Sequence, residues 1–235
     1  MPRYRNLIFD FDGTLADSRD DIASAQLWVL HQLGITTVTK EDLYPHIGKS
    51  LQQTFASVLP ASLHGSIPRA IEMYSEYYPP RSLLTTRLFA GVRETLHRLY
   101  TAGACLAIAS TKRTSGLVRA TRHFHIDECF IQLQGSDDGI FKPDPYVLNL
   151  IIDGQGWDRR ETVAVGDTEA DVLAGNNAGV ATCGVTYGSL GSEMGQRCHP
   201  DHVIHHFPEI AVVAGVEQAS RHSEEREAGT HDEPR

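Results

Sequence analysis

Short apolar runs recur along the chain, and each is followed by polar or turn-forming residues. The clearest runs lie at positions 7–9, 106–109, 162–165 and 182–185, with weaker ones at 130–133 and 202–204. Between them, apolar residues recur at helical spacing, as from Val92 to Tyr100, where Gly103 then ends the segment. Strands that alternate with helices predict an α/β fold with a Rossmann-like parallel sheet covered by helices on both faces.

Residues 16–88 interrupt this rhythm, because their apolar positions follow only helical spacing. Four helices are expected, with caps or first turns at Asp17 or Ser18, Thr39, Ser50 and Pro68. A crossover of this length is more than one helix, so we expect an inserted α-helical cap domain with hinges near Ala16 and Leu88. The α/β core domain would then comprise residues 1–15 and 89–215.

The last segment, residues 216–235, carries many charges and few apolar side chains. Such a composition cannot bury enough apolar surface to offset the conformational entropy lost on folding. We therefore predict a disordered, charged tail.

Composition narrows the classes of function. The formal net charge of -9 disfavours nucleic acid as a partner, although a local pocket can still be basic. No targeting segment is visible, and no run approaches the ~20 apolar residues of a membrane helix. The four cysteines form no Cys-x-x-Cys pair, which favours reduced thiols. We expect a cytoplasmic monomer or homodimer without a membrane partner.

The first apolar strand ends in two carboxylates, Asp10 and Asp12, followed by Gly13. Side chains two positions apart in extended chain point the same way, so both acids should lie at the carboxyl end of the strand, where α/β sheets bind ligands. Crowded carboxylates need a proton or a cation, and Mg²⁺ suits oxygen ligands. Gly13 allows a tight turn. A plain strand-to-turn segment is the alternative, since Asp-Gly is common in turns.

Asp167 and Asp171 form a second acidic pair, directly after the predicted strand at 162–165. Four residues span about one helical turn, so the two carboxylates can share a helix face. The competing interpretation is N-terminal capping of the next helix by Asp167 and Thr168, and both interpretations can hold together.

Hydroxyl and ammonium groups lie at two further places. Ser110, Thr111 and Lys112 follow the second strand, where hydroxyls and backbone N–H groups suit a phosphate oxygen, although a helix cap is the simpler interpretation. Lys142 precedes Pro143, which favours an extended backbone. An ammonium held there can neutralise a phosphate, but a solvated lysine is the commoner case.

Four histidines cluster near the C-terminus: His199, His202, His205 and His206. His202 and His206 would have metal-ligand spacing only on a helix, whereas the segment around them has the pattern of a strand. We therefore interpret the cluster as solvated or structural.

Taken in order, these segments resemble the haloacid dehalogenase superfamily of phosphohydrolases. The resemblance extends over about residues 6–210 and is carried by Asp10-Phe11-Asp12-Gly13-Thr14, Ser110 with Lys112, Lys142-Pro143, and Gly166-Asp167 with Asp171. The helical insert, together with residues 138–145 and Tyr187-Gly188, is similar to the phosphoglycolate phosphatase-like branch, with a cap of the C1 type. The resemblance implies a magnesium-dependent phosphatase that transfers a phosphoryl group to Asp10 and then to water.

The resemblance also implies roles for the individual residues. Asp10 would be the nucleophile, and Asp12 the acid that protonates the leaving group and then the base that activates water. Ser110 would hold the phosphoryl oxygens, with Thr111 as a second candidate because the family often has threonine here, and Lys142 would orient the nucleophile. The expected magnesium ligands are Asp10, the backbone carbonyl of Asp12, Asp167, and Asp171 directly or through water.

Substrate contacts are expected from the core and from a cap loop. The candidates are Gly13, Thr14, Thr111, Lys112, Gly48 and Lys49. Lys49 could meet a carboxylate or a phosphate, or could simply be an exposed lysine at a helix start. The expected substrate is a small phosphorylated metabolite, with 2-phosphoglycolate the first candidate.

Other functions share the same motifs. The alternatives are a sugar phosphomutase of the β-phosphoglucomutase type, a pyrophosphatase or another small-metabolite phosphatase, and a non-catalytic binding protein. A binding protein would be expected to lack some of the four acids. A haloacid dehalogenase would need neither magnesium nor an acid at the second position, so Asp12 argues against it.

Overall fold

Six parallel strands form the central sheet of this protein, whose computed structural model describes residues 3–216. The strands, in chain order, are β1 (Asn6–Phe9), β2 (Ala16–Asp17), β3 (Arg87–Leu88), β4 (Cys105–Ala109), β5 (Phe130–Gln134), β6 (Thr162–Gly166), β7 (Ala181–Val185) and β8 (His202–Ile204). The order across the sheet is β5-β4-β1-β6-β7-β8, and every neighbouring pair is parallel. The α/β class is confirmed, and all six apolar runs, including the two weaker ones, are strands.

Helices alternate with these strands and fill the long crossover after β1. They are α1 (Arg19–Gln32), α2 (Lys40–Leu43), α3 (Leu51–Val58), α4 (Ile67–Tyr77), α5 (Val92–Thr101), α6 (Thr114–His123), α7 (Tyr146–Gln155), α8 (Glu169–Ala178), α9 (Met194–Cys198) and α10 (Ile210–Val213). Thr39 and Ser50 cap α2 and α3 through reciprocal capping boxes, and Pro68 lies in the first turn of α4. Ser18 precedes α1, but its side chain makes no capping hydrogen bond.

The two faces of the sheet bury separate apolar clusters. Leu7 and Phe9 of β1 belong to one cluster, whereas Ile8 between them belongs to the other. Strand side chains alternate with a period of two, and β1, β4 and β6 contribute to both clusters. Helices cover both faces, which is the arrangement that a parallel sheet requires.

A third apolar cluster lies entirely between residues 22 and 78. Its centre includes Leu30, Leu43 and Phe55, which are fully buried. The two predicted hinge positions pair directly, because β2 and β3 form an antiparallel ribbon in which Ala16 lies opposite Leu88. The division into a core and a cap domain stays a prediction, and this cluster supports it.

Within residues 3–216, no helix combines the length and the apolar character that a membrane crossing requires. All four cysteines are free thiols. Val216 packs against the first cluster, and the predicted disordered tail otherwise falls on residues 217–235, outside the described part of the chain.

Candidate active site

Asp10 and Asp12 lie directly beyond the carboxyl end of β1, at the centre of the sheet. The Asp10 N–H donates to the Val165 carbonyl at 2.9 Å, which extends the β1–β6 ladder by one residue. Both carboxylates are buried, at 7% and 6% exposure. Buried carboxylates require charged or hydrogen-bonding partners, and each of the two has its own lysine.

Lys142 is the partner of Asp10. Its ammonium donates to Asp10 Oδ1 at 2.7 Å, to the Ala109 carbonyl at 3.0 Å, and to Asp171 Oδ1 in a very short contact. The lysine is buried, so it belongs to an ion-pair network at the sheet edge and is not a solvated surface residue. Lys142 thereby joins the first acidic motif to the second.

The charges in this network do not balance. Burial raises the pKa of Asp10 to about 7. The charge of Lys142 opposes this shift, and the charges of the neighbouring carboxylates add to it. Burial and the charge of Asp171 raise the pKa of Asp167 to about 6. Burial alone would lower the pKa of Lys142, but Asp10 and Asp171 outweigh it and hold the pKa above its usual range. Three carboxylates thus share one ammonium, and the site favours a further cation.

Asp167 is fully buried and is held from two sides. Thr14 Oγ1 donates to Asp167 Oδ1 at 3.3 Å, and the Ser189 N–H donates to Oδ2 at 2.8 Å. Gly13 adopts a left-handed conformation with φ of 86°, and a Cβ atom there would overlap the Asp167 carboxylate. The first motif therefore needs glycine both for its turn and for the close approach of Asp167.

Asp171 lies in the first turn of α8, where Thr168 is the capping residue. Asp171 Oδ2 accepts from the Thr168 backbone N–H at 3.0 Å and from its hydroxyl at 2.6 Å. The capping interpretation therefore holds for Thr168, whereas Asp167 faces the acidic site. Carboxylate oxygens of Asp10, Asp167 and Asp171 lie within 4.8 Å of one another, so Asp10 of the first predicted acidic pair meets both members of the second.

Asp12 has a different set of partners. Ser18 Oγ donates to Asp12 Oδ1 at 2.6 Å, and the Lys112 ammonium contacts Oδ2 at 3.0 Å. The same ammonium donates at 3.0 Å to the hydroxyl of Tyr78, the residue that directly follows α4. Sequence reasoning placed Lys112 near substrate but missed Ser18 and Tyr78 as its neighbours at Asp12.

Ser110 and Thr111 occupy different environments after β4. Ser110 is fully buried, and its Oγ accepts from the Lys112 backbone N–H at 3.3 Å. Thr111 is half-buried and lines a cavity of about 410 Å³ between the sheet edge and the helical insert. Lys112 follows both residues, and its ammonium contacts Asp12 of the first motif.

The loop before α3 forms part of the cavity wall. Gly48 and Lys49 line it, and Gly48 has a left-handed φ of 90°. A Cβ atom on Gly48 would lie 3.0 Å from the Thr168 methyl group, so this loop packs against the start of α8. Lys49 is exposed, with its ammonium 3.3 Å from His46 Nδ1.

Two of the four C-terminal histidines contact other parts of the fold through their side chains. His202 lies on β8 and pairs through Nε2 with the Tyr4 hydroxyl at 3.0 Å. His205 Nδ1 lies 3.0 Å from Thr186 Oγ1. These contacts agree with the structural interpretation of the cluster.

Comparison with known proteins places this geometry in a family. The model of the haloacid dehalogenase-like hydrolases matches residues 7–185. The chain is 30% identical over 223 residues to the phosphoglycolate phosphatase of Vibrio parahaemolyticus, covering 89% of this chain and 96% of that protein. It is 32% identical to a 5'-nucleotidase of Pseudomonas aeruginosa (91% and 96% covered) and 30% identical to the pyrophosphatase PpaX of Halalkalibacterium halodurans (89% and 96%).

Solved structures show the same fold. A haloacid dehalogenase-like family hydrolase from Streptococcus pneumoniae superposes with a TM-score of 0.81 at 24% identity, covering 90% of this chain and 98% of that one. A structure described as a predicted phosphoglycolate phosphatase from Haemophilus somnus gives 0.80 at 25% identity, covering 91% and 99%. This chain therefore belongs to the haloacid dehalogenase-like hydrolases, and it is a phosphatase of that family that acts as a phosphoric monoester hydrolase.

Proposed function

We propose that this phosphatase hydrolyses a small phosphomonoester with the help of magnesium, through an aspartyl phosphate formed on Asp10. The observation that carries the proposal is the convergence of Asp10, Asp167 and Asp171 around the single ammonium of Lys142. A buried site with excess negative charge suits a cation and, with it, the phosphoryl group that the cation would bind.

The donor set fits magnesium. The ion prefers carboxylate and carbonyl oxygens and keeps several waters, and three carboxylates here lie within 4.8 Å of one another. Asp10, Asp167 and the backbone carbonyl of Asp12 would hold it. Asp171 would act through water, because its two oxygens already accept from Lys142 and Thr168. When bound, magnesium neutralises charge on the transferring phosphoryl group.

In the first half-reaction, the Asp10 carboxylate attacks phosphorus while the bond from phosphorus to the ester oxygen breaks. Asp12 gives its proton to the departing alkoxide, which leaves as an alcohol. Ser18 and Lys112 fix the Asp12 carboxyl from both sides, so the acid is positioned before the substrate arrives. Lys142 fixes Asp10 in the same way.

In the second half-reaction, water attacks the phosphorus of the aspartyl phosphate. Asp12, now ionised, takes the proton of that water, and the bond between phosphorus and Asp10 breaks to release inorganic phosphate. Both residues return to their starting state. We propose that Ser110 holds phosphoryl oxygens during both steps, with Thr111 facing the leaving group from the cavity wall.

The cavity also bears on the substrate. We propose that the helical segment from 16 to 88 is a cap over the active site, since its loop at Gly48 packs against Thr168. Lys49, Lys112 and Arg119 line the cavity, and their positive charge suits an anionic leaving group within an acidic protein. 2-Phosphoglycolate is the first candidate on these grounds, and one relative bears the name of its phosphatase.

Phosphate release from a panel of phosphate esters tests the proposal, with magnesium and with a chelator, for the wild type and Asp10→Asn. The wild type is expected to release phosphate only with magnesium. Asp10→Asn is expected to lose at least ~10³-fold in kcat, because the amide cannot form the acyl phosphate. Asp153→Asn, an exposed acid on α7, is the matched control and should retain full activity.

Two results would contradict the mechanism. Release that persists in Asp10→Asn would exclude Asp10 as the nucleophile, and release that is unchanged by the chelator would exclude the magnesium requirement. If no ester yields phosphate but a bisphosphorylated sugar supports turnover of a sugar phosphate, the chain would instead be a phosphomutase.

A further inference from the structure

Gln26 is a buried amide without a hydrogen-bond partner in the wall of the cavity. It lies on α1, is 2% exposed, and its Oε1 atom is buried without a partner. No residue within 3–216 forms a hydrogen bond with the side chain. An unpaired buried polar group lowers stability, and most buried groups of this kind are satisfied. Its place in the cavity wall suits a partner that arrives with a ligand.

Tyr74 supplies a further polar group to the same wall. Its ring stacks on that of Tyr78 with a centroid distance of 5.0 Å, and it is buried in the wall of the same cavity. The Tyr78 hydroxyl accepts from Lys112. The Tyr74 hydroxyl, by contrast, has no hydrogen bond to any residue of the described chain, so two polar groups of the wall are left for a ligand.

Apolar side chains lie beside these two groups. Ile22 lies one helical turn before Gln26, Ile71 lies three residues before Tyr74, and both line the cavity. The cavity volume of about 410 Å³ falls within the roughly 300–1,000 Å³ of small-molecule sites, in which a few polar groups in apolar walls set specificity. Gln26 and Tyr74 have that arrangement.

We propose that Gln26 and Tyr74 form a subsite for a hydroxyl group on the leaving alcohol of the phosphate ester. A hydroxyl donates to Gln26 Oε1 and accepts from the Tyr74 hydroxyl, and it suits either orientation of the amide. A carboxylate only accepts, so it leaves Oε1 unpaired. The subsite rests on the proposed phosphatase function and favours monophosphate esters of alcohols that carry a further hydroxyl over 2-phosphoglycolate, whose leaving alcohol carries a carboxylate instead.

A length series of synthetic esters tests this subsite without assuming its distance from Asp10. Each n-alkyl phosphate is paired with the ω-hydroxyalkyl and ω-carboxyalkyl phosphates of equal chain length. The readout is the ratio of kcat/KM between the hydroxyl and the alkyl member of each pair. The ratio is expected to exceed one at the length that reaches Gln26, with the carboxyl member below the hydroxyl member at that length.

Two variants then assign the effect to the subsite. Gln26→Leu and Tyr74→Phe keep the side-chain volume nearly constant and remove one polar group each. Each is expected to lower the hydroxyl-to-alkyl ratio by about tenfold, mainly through KM of the hydroxyl ester. Gln32→Leu, an exposed position at the end of the same helix, is the matched control and should leave the ratio unchanged.

The outcomes separate the subsite from the proposed reaction. A ratio below one at every length, a preference for the carboxyl member, or ratios that neither variant changes would overturn the subsite. If p-nitrophenyl phosphate is hydrolysed but none of the series is, the phosphatase function stands and the subsite is wrong. Failure to hydrolyse p-nitrophenyl phosphate and every ester would remove the proposed function, and the subsite with it.

Discussion

Asp10 and Asp167 are carboxylates whose burial opposes their ionisation. Their pKa values are raised to about 7 and about 6, above the usual value of 3.8. A group whose pKa is raised in the folded state stabilises the fold below its unfolded pKa, and this stability is lost as pH rises through the folded pKa. Without a bound cation, the two acids therefore lower the stability of the folded state more and more as pH rises toward neutral.

Magnesium should relieve this opposition in a way that depends on pH. The ion competes with protons for these carboxylates, so we expect the rise in Tm on adding magnesium to grow between about pH 5 and pH 8. Asp167→Asn should abolish most of this rise, because it removes one of the proposed ligands. Thermal unfolding with magnesium and with a chelator, across the pH range, measures the effect.

The exposed acid Asp153 again provides the control, since Asp153→Asn should keep the full response to magnesium. A magnesium effect that is independent of pH, or one that is largest in acid, would show that protons and the ion do not compete at this site. An effect that survives in Asp167→Asn would place the ion elsewhere.

Sequence motifs identified the residues at strand ends but not their partners from distant segments. Asp10, Asp12 and Asp167 could be predicted because each follows an apolar strand, and parallel strands bring such residues to one edge. Ser18 was interpreted as a helix cap, whereas its hydroxyl binds Asp12. Ser189 binds Asp167 through a backbone N–H, which any residue type could supply, so no sequence signal marks it.

The element that joins the helical insert to the sheet is the short ribbon of β2 and β3. Asp21, on the first turn of α1, is 6% exposed and accepts from the backbone N–H groups and hydroxyls of Thr85 and Thr86. Burial would raise the pKa of Asp21, but these hydrogen bonds outweigh it and hold the pKa below its usual value. The Asp21 side chain thus links the start of the helical insert, at α1, to its end, at Thr85 and Thr86.

Asp21→Asn is expected to lower the free energy of unfolding by about 2 kcal/mol at neutral pH, because hydrogen bonds to a charged acceptor become neutral ones. The lowered pKa means that this stability is present above the usual pKa of 3.8 and is lost as pH falls through the folded value. The difference between wild type and variant should therefore shrink in acid. Urea unfolding at neutral and acidic pH measures it.

The neighbouring residue supplies the comparison, because the Asp20 side chain is 58% exposed. Asp20→Asn should change the free energy of unfolding by a few tenths of a kcal/mol. Equal effects of the two substitutions, or an Asp21→Asn deficit that grows in acid, would contradict the role of Asp21 as a clamp.

A strand or helix could be predicted from the sequence only where it is long enough for its spacing of apolar residues, or its cap, to be recognised. The strands of four or five residues and the helices with Thr39 or Ser50 caps had such patterns. β2 and β3 have two residues each, which is too short for alternation to show, and their pairing depends on closure of the whole insert. The hinges near Ala16 and Leu88 were instead inferred from the change in pattern.

The three apolar clusters of the molecule differ in how far apart their residues lie in the sequence. The two clusters on the sheet faces combine residues from both sides of the helical insert, whereas the third uses only residues 22–78. Long-range clusters couple distant segments, and local clusters allow a segment to loosen by itself. This contrast predicts that the helical insert can loosen while the sheet stays folded, which would ease substrate entry to the cavity between them.

Matched cavity-creating variants test this independence. Leu30 belongs to the cluster within residues 22–78, called here the cap cluster, and Leu106 belongs to the first cluster on the sheet. Both side chains are fully buried, so Leu30→Ala and Leu106→Ala should each lower the free energy of unfolding by about 2–5 kcal/mol. Because the cap cluster is local, Leu30→Ala should speed amide exchange in α1, α3 and α4 and leave β1 and β6 protected, whereas Leu106→Ala should affect the sheet. Hydrogen exchange measures both, and Leu84→Ala, at a 66% exposed site, should change neither. Faster exchange throughout the protein in Leu30→Ala would mean that cap and core unfold as one unit.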